Sequence, residues 1–177
     1  MELFDALMHR RSTRRFLSYP IEREQIFKLL DAADRAPSAG NLDNWKFILV
    51  EDEHMRLELA SACHAQFWMA EAPLIIVVLS DIERVKRVYG SRAEFFATQS
   101  IAASIQNLLL AAEELDLGAC WVGSFDEKWV KRVLAIPDKI DVHALIPVGP
   151  KGEKPPEPKR YPLDTKVFFE KYGKTSR

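Results

Sequence analysis

The longest run with helical periodicity, residues 94–117, constrains the fold of this chain more than any other segment. Its apolar side chains, with Phe96, Ile101, Ile105 and Leu108 among them, and many alanines cover nearly the whole circumference of the predicted helix. A helix that is apolar nearly all round is a buried helix, often one between subunits. We therefore expect the rest of the fold to enclose this helix.

Short strands alternate with helices along the rest of the chain. Residues 74–79 are apolar at every position, as in a strand that is buried on both faces. Gly118 is expected to end the long helix and Asp126 to cap the last one. The other predicted elements are helices over residues 2–11, 22–36, 53–67, 83–90 and 126–134, and strands over 45–50 and 142–148, while residues 119–122 lead into a turn and a strand. This mixture predicts an α+β or α/β class.

Length and composition narrow the class of protein. A chain of 177 residues fits one domain, residues 1–177, and its 47% hydrophobic content is enough for a core. The formal net charge of −1 gives no general attraction to nucleic acid or to a membrane surface. Cys63, Cys120 and the four histidines lack metal-ligand spacing, so no metal site is expected. Without a secretory pattern or a disulfide framework, a cytoplasmic location is expected.

The end of the chain, residues 151–177, is predicted to be an arm followed by a tail. Residues 151–162 are rich in Pro, Lys and Glu, which favours an extended conformation. The apolar residues Val167, Phe168 and Phe169 follow this polar arm. A tail of this kind docks on the body of its own chain or on a partner subunit.

Four arginines, a serine and a threonine stand together in residues 10–16, which we call the anchor segment. Arginine presents a charged planar fork of donors, and hydroxyl groups add further donors, a combination that suits a phosphate. A solvated helix end is the plainer interpretation of such a charge run. A nucleic-acid patch fits less well, because the chain has no overall positive charge and no recognisable binding module.

A second cluster, the small-residue loop of residues 37–41, allows backbone N–H groups to approach a flat ligand closely. Gly123 and Ser124 form a further turn. The sequence contains no G-x-G-x-x-G, no G-x-x-x-x-G-K-[ST] and no G-x-S-x-G motif, and no other acid, base or nucleophile set stands out. This profile indicates a site where a bound nucleotide-like cofactor performs the chemistry and the protein orients it.

The chain resembles the FMN-dependent nitroreductase family across essentially its whole length, and the matching motifs occur in the order that is usual for the family. The matching motifs are Arg10-Arg11-Ser12-x-Arg14-x-Phe16, Pro20-Ile21, Ala36-Pro37-Ser38-Ala39-Gly40-Asn41, the aromatic Trp45, Ala72-Pro73, the helix 99–117, Leu117-Gly118-x-Cys120-Trp121-x-Gly123 and Pro155-Pro156-x-Pro158-Lys159-Arg160-x-Pro162. The resemblance implies an α+β fold in which helices flank a central, mainly antiparallel sheet. It also implies a homodimer that exchanges C-terminal arms, with one FMN per site at the dimer interface.

The resemblance further implies roles for individual residues. Arg10, Ser12 and Arg14 would bind the phosphate and ribityl chain, and Lys159 and Arg160 would reach the phosphate from the arm. Arg11 is a further candidate for cofactor binding, although it could equally face solvent. Beside the flavin ring the candidates are Pro37, Ser38, Ala39 and Asn41. Gln66 would lie at the pyrimidine edge of the ring, and Gly123 and Ser124 near N5. Residues 83–96, the lid segment, would cover the flavin face, with Tyr89, Arg92, Phe95 and Phe96 contacting substrate.

The function implied is an oxidoreductase that passes a hydride from NADH or NADPH through FMN to a small-molecule electron acceptor, such as a nitroaromatic or a quinone, by a ping-pong cycle. Alternatives are a divergent flavin enzyme of the same fold, either a reductive dehalogenase or a flavin-fragmenting enzyme, or a non-catalytic flavin-binding dimer. The chain departs from the family where Asp43-Asn44 replaces a usual Gln-Pro, and at Ser100, where the family commonly has Asp. These departures concern the choice of acceptor rather than FMN binding.

Overall fold

Six α-helices and four β-strands are seen in a computed structural model, which describes residues 2–175. In chain order the elements are α1 (Leu3–His9), α2 (Arg23–Asp34), β1 (Trp45–Val50), α3 (Glu53–Ala62), β2 (Leu74–Ser80), α4 (Glu83–Tyr89), α5 (Ala93–Glu114), β3 (Leu117–Ala119), α6 (Glu127–Val133) and β4 (Asp141–Pro150). Short 3-10 helices occupy Ala39–Asn41, Phe67–Glu71, Gly90–Arg92 and Leu163–Lys166.

The four strands form one antiparallel sheet in the order β1-β2-β4-β3. Strand β2 is buried along its whole length, as its uninterrupted apolar run predicts. Because side chains alternate across a strand, Ile76 and Val78 pack with α2 and α5 on one face, while Ile75 and Val77 pack with α3 and α6 on the other. The predicted α+β class with a mainly antiparallel sheet flanked by helices is confirmed.

The long helix α5 packs between α2 and the sheet, which accounts for its apolar circumference. Ser104, Ile105 and Leu108 are fully buried along it. The continuous helical stretch Glu83–Glu114, of which α5 is the greater part, is long and apolar enough to cross a membrane by length and composition alone. Burial of α5 in the core explains this composition.

Several predicted boundaries are wrong for physical reasons. The helix expected over 53–67 ends at Ala62, because His64 and Ala65 both adopt left-handed backbone conformations with φ near +57°. Gly118 does not end the long helix. That helix stops at Glu114, Asp116 makes the left-handed turn with φ +55°, and Gly118 lies in β3. The predicted cap at Asp126 is confirmed, since its carboxylate accepts a hydrogen bond of 3.0 Å from the Trp129 backbone N–H.

Helix α1 presents its apolar side to the surface instead of the core. Ala6 is its one buried residue, whereas Phe4 is 77% and Met8 is 62% exposed. The arm beyond Gly152 has no strand or α-helix among the described residues. In the tail, the rings of Phe168 and Tyr172 lie 4.7 Å apart, so part of the apolar tail packs against itself.

Candidate functional site

The anchor segment, residues 10–16, is held in place by the edge of the sheet. Ser12 forms an isolated parallel bridge with Ala119, and the Thr13 backbone N–H donates to the Ala119 carbonyl at 3.1 Å. Phe16 forms an antiparallel bridge with Lys151 at the start of the arm. In extended backbone, successive side chains point to opposite sides. The anchor segment therefore presents two different faces.

One face of the anchor segment gathers Arg10, Ser12 and Arg14 around the thiol of Cys120. Burial raises the pKa of that thiol, while the positive charge of Arg14, a hydrogen bond with Ser12 and the charge of Arg10 act to lower it. The Arg14 guanidinium also lies 5.8 Å from the ring centre of Trp68. Two cations and a hydroxyl thus act on the same thiol, and together they form the donor set that suits a phosphate.

The opposite face carries Arg11 and Thr13. The Arg11 guanidinium donates to the carbonyl of Met8 at 2.6 Å, which places it on the C-terminal turn of α1. It also lies 4.0 Å from the carboxylate of Glu157 in the arm. The structure does not bring Arg11 together with Arg10, Ser12 and Arg14, and its contacts are those of a residue that ties α1 to the arm.

Gly123 and Ser124 follow the anchor-facing Cys120 in a turn before α6. The Ser124 hydroxyl lies 3.1 Å from Nε2 of His64. The side chain of Gln66 donates to the carbonyl of Cys63 at 2.9 Å, so its amide nitrogen is engaged within its own turn. Sequence reasoning missed His64, and no spacing marks it, because the left-handed turn at residues 64 and 65 brings it to Ser124.

The small-residue loop, residues 37–41, is closed by hydrogen bonds from its own neighbourhood. The Ser38 hydroxyl donates to Asp43 at 2.7 Å, and the Asp43 backbone N–H donates back to that hydroxyl at 3.1 Å. The Ala39 backbone N–H donates to the hydroxyl of Ser100 in α5 at 3.0 Å. Both departures from the family pattern, Asp43 and Ser100, therefore hold this loop through hydrogen bonds.

The four lid candidates form one cluster beside the small-residue loop. The rings of Tyr89 and Phe96 lie 4.9 Å apart, and those of Phe95 and Phe96 lie 5.7 Å apart. The Arg92 guanidinium stands 5.5 Å from the Phe95 ring centre and 4.9 Å from that of Phe96. A groove of about 480 Å³ is lined by residues 37–39, by Tyr89 and Phe96, and by Gln99, Ser100 and Ala103 of α5.

The anchor segment and the small-residue loop lie at opposite ends of α5. The loop is tied to Ser100 near its start, whereas Thr13 packs against Gly118 just beyond its end. At 1.5 Å per residue, these points are about 20 Å apart along the helix axis. Lys159 and Arg160 lie on the exposed arm, and Asn41 is exposed with φ +54°. Within residues 2–175, no three His, Cys, Asp or Glu side chains come together as metal ligands would.

Sequence comparison identifies relatives over almost the whole chain. The model of the nitroreductase family matches residues 7–69 and 61–150. A protein from Archaeoglobus fulgidus, whose name includes NADH dehydrogenase/NAD(P)H nitroreductase, is 32% identical over 173 residues, covering 96% of this chain and 90% of that protein. A Thermus thermophilus protein named NADH dehydrogenase is 30% identical over 192 residues, covering 93% and 94% of the two chains.

Solved structures agree with this assignment. A nitroreductase family protein from Clostridium novyi superposes with a TM-score of 0.80 at 29% identity, covering 98% of this chain and 96% of that one. The fold is also that of the NADPH:FMN oxidoreductase from Vibrio harveyi solved with NAD⁺, with a TM-score of 0.88 at 24% identity over 97% and 78% of the two chains. The chain therefore belongs to the nitroreductase family of NAD(P)H-dependent oxidoreductases.

Proposed function

We propose that this protein binds FMN and passes a hydride from NADH or NADPH through it to a small acceptor, such as a nitroaromatic or a quinone, in a ping-pong cycle. The observation that carries the proposal is the convergence of Arg10, Ser12 and Arg14 on one face of the anchor segment. Their chemistry matches a dianionic phosphate, and their positions are fixed through β3.

The remaining cofactor contacts divide into two groups. Gly123, Ser124 and Gln66 lie on the chain segments that surround Cys120 and His64, on the anchor side of the molecule. Pro37, Ser38, Ala39 and Asn41 lie at the other end of α5. About 20 Å of α5 lies between Ser100, which holds the second group, and the end of the helix beside the anchor segment. We infer that one chain alone does not bring both groups to one flavin ring.

We infer that two copies of the chain complete each site, with the anchor segment from one protomer and the small-residue loop and lid segment from the other. The exposed apolar side of α1, formed by Leu3, Phe4, Leu7 and Met8, supports this dimer because such a patch is typical of a protein interface. The extended arm carries Lys159 and Arg160 away from the body, where they would add positive charge at the phosphate.

The protein's part in this reaction is binding, orientation and exclusion of water. FMN, when bound, supplies the hydride transfer from the nicotinamide and on to the acceptor. Arg10 and Arg14 would neutralise the phosphate, and the backbone N–H groups of Gly123 and Ser124 would donate to the polar edge of the ring. Pro37 to Ala39 and the aromatic lid residues line a groove in which the nicotinamide and then the acceptor would stack in the same place.

The decisive experiment is an absorption spectrum of the purified protein, followed by anaerobic addition of NADH and then NADPH. A yellow protein that bleaches supports the proposal, and a yellow protein that does not bleach favours a flavin-binding protein without turnover. A colourless protein that also fails to bind added FMN overturns it.

Substitution of the phosphate-binding candidates tests the residue assignment. Arg14→Ala and Arg160→Ala each remove a charged donor, so we expect FMN affinity to fall about 10- to 100-fold. The matched control is Arg15→Ala, which removes the same charge from the neighbouring, exposed position on the opposite face of the anchor segment. Flavin titration with fluorescence detection measures the affinities. Undiminished binding in both Arg14→Ala and Arg160→Ala would mean that the phosphate lies elsewhere.

A further inference from the structure

Arg92 is an exposed cation beside Phe96, one of the residues that line the groove. Its guanidinium rests against the rings of Phe95 and Phe96, at 5.5 and 4.9 Å from their centres. No carboxylate within residues 2–175 lies within 4.0 Å of its nitrogen atoms, whereas the nearby Lys86 is paired with Glu83. The side chain is exposed, so its charge is available to a ligand that enters the groove.

Arg92 lies where the 3-10 helix Gly90–Arg92 leads into α5, within the continuous helical stretch Glu83–Glu114. Its side chain carries donors only, so it cannot cap the helix, and its charge lies against the rings of Phe95 and Phe96. The N–H groups that do not face these rings are open to an anion.

The groove beside Arg92 suits a flat ring. It is lined by the small residues 37–39, by Tyr89 and Phe96, and by Gln99, Ser100 and Ala103 of α5, and none of these side chains carries a formal charge. The carboxylate of Asp43, on the loop side, is engaged by the Ser38 hydroxyl. The ring of Phe96 both lines the groove and contacts the guanidinium of Arg92. A ring that stacks on Phe96 in the groove would thus lie within reach of the Arg92 guanidinium.

We propose that Arg92 is a specificity-determining residue that selects planar substrates bearing an anionic group. The ring stacks in the groove while the guanidinium pairs with the anion through its free N–H edge. Stacking on Phe95 and Phe96 holds the guanidinium plane in advance, so less side-chain entropy is lost on binding. The inference rests on the proposed function, since the groove is the place where the acceptor is reduced. The anion belongs either to an aromatic acceptor or to the phosphates of the nicotinamide dinucleotide.

The test compares binding of 4-nitrobenzoate and 4-nitrobenzamide, which differ by one charge but little in shape. Isothermal titration calorimetry of the oxidised, FMN-loaded protein should show about tenfold tighter binding of the carboxylate. Arg92→Gln should bring the ratio of the two affinities close to one through loss of carboxylate binding. Arg92→Lys, which keeps the charge without the planar stacking, should retain part of the preference.

The matched control is Arg87→Gln, which removes an equal charge from α4 in the same lid segment. We expect Arg87→Gln to leave the ratio of the two ligand affinities unchanged, because that ratio depends on a short-range ion pair with Arg92 and not on the overall electrostatic potential of the surface. A purely structural role of Arg92 would instead weaken both ligands equally in Arg92→Gln. That result, or equal affinities in the unsubstituted protein together with unchanged NADH binding, would overturn the proposal.

A second measurement identifies the source of the anion. Rapid mixing with NADH under anaerobic conditions yields the dissociation constant of the dinucleotide for the unsubstituted protein and for Arg92→Gln. If Arg92→Gln binds NADH more weakly, and the unsubstituted protein shows no preference for the carboxylate ligand, the anion belongs to the phosphates of the dinucleotide. The calorimetry requires no turnover. A protein that prefers the carboxylate but is not reduced by NADH or NADPH would refute the proposed function and leave the role of Arg92 standing.

Discussion

Substituting Gly118 by alanine should damage the support of the anchor segment. A Cβ atom at Gly118 would lie 2.6 Å from Cγ2 and 2.8 Å from Cβ of Thr13. Carbon atoms in favourable contact are about 3.5–4.0 Å apart, so one of the two segments has to move by about 1 Å. Thr13 is only 2% exposed and its backbone N–H is bonded to Ala119, so it has little room to move.

The size of the effect follows from the cost of overpacking. An extra methyl group in a well-packed site costs about 1–3 kcal/mol, and we expect the upper half of that range because the close contacts involve an atom next to the backbone. For a urea dependence of about 2 kcal/mol per molar, the midpoint of unfolding falls by about 1 M. Tryptophan fluorescence during urea titration measures it, since the chain has four tryptophans.

Two further variants separate this contact from other effects. Gly123→Ala adds the same methyl group where it meets only Trp121, at 3.6 Å or more, so the unfolding midpoint should hardly change. Thr13→Gly removes all three atoms that crowd Gly118, so Gly118→Ala should cost much less in that background. The reasoning is refuted if Gly118→Ala unfolds at the same urea concentration as the unsubstituted protein, or if the two substitutions are additive.

Burial raises the pKa of the Cys63 thiol to about 12 and also raises that of Cys120, so neither native thiol should react with a disulfide reagent at pH 8, while both should react in urea. Rapid labelling of the folded protein would contradict this. Burial lowers the pKa of His143, whose Nε2 lies 2.7 Å from the Ser80 hydroxyl, against the raising influence of Asp141 and Glu127. Below about pH 6.5 the unfolded chain then binds more protons at this residue, so stability should fall as the pH is lowered from 7 through this range. His143→Gln should remove that part of the slope in urea titrations at several pH values, and an unchanged slope would exclude His143 as its source.

Helix and strand identities were predictable where one local pattern dominates. The uninterrupted apolar run of β2 predicts burial on both faces, and the structure places helices on both sides of it. Asp126 predicts the start of α6 because a carboxylate at that position can accept a backbone N–H. Both signals lie within a few residues of the element they define, so the rest of the fold hardly alters them.

The ends of two helices were not predictable from composition. Asp116 takes the left-handed conformation that glycine usually provides, so Gly118 is left for the close approach of β3 to Thr13. His64 and Ala65 end α3 in the same way before Phe67 is reached. Asp and His adopt the left-handed conformation more readily than most other residues but do so at only a few of their positions, so a local pattern does not mark these two helix ends.

The sequence by itself determined which residue types are available: an arginine-rich segment suited to phosphate, a loop of small residues suited to a flat ring, and an apolar helix that has to be buried. Only the tertiary structure decided which arginines share a face, because the extended anchor segment beside β3 turns Arg10 and Arg14 to one face and Arg11 to the other. It also decided that the anchor segment and the small-residue loop lie at opposite ends of α5. Residue type and periodicity are local properties, whereas the distance between remote segments depends on how the whole core packs.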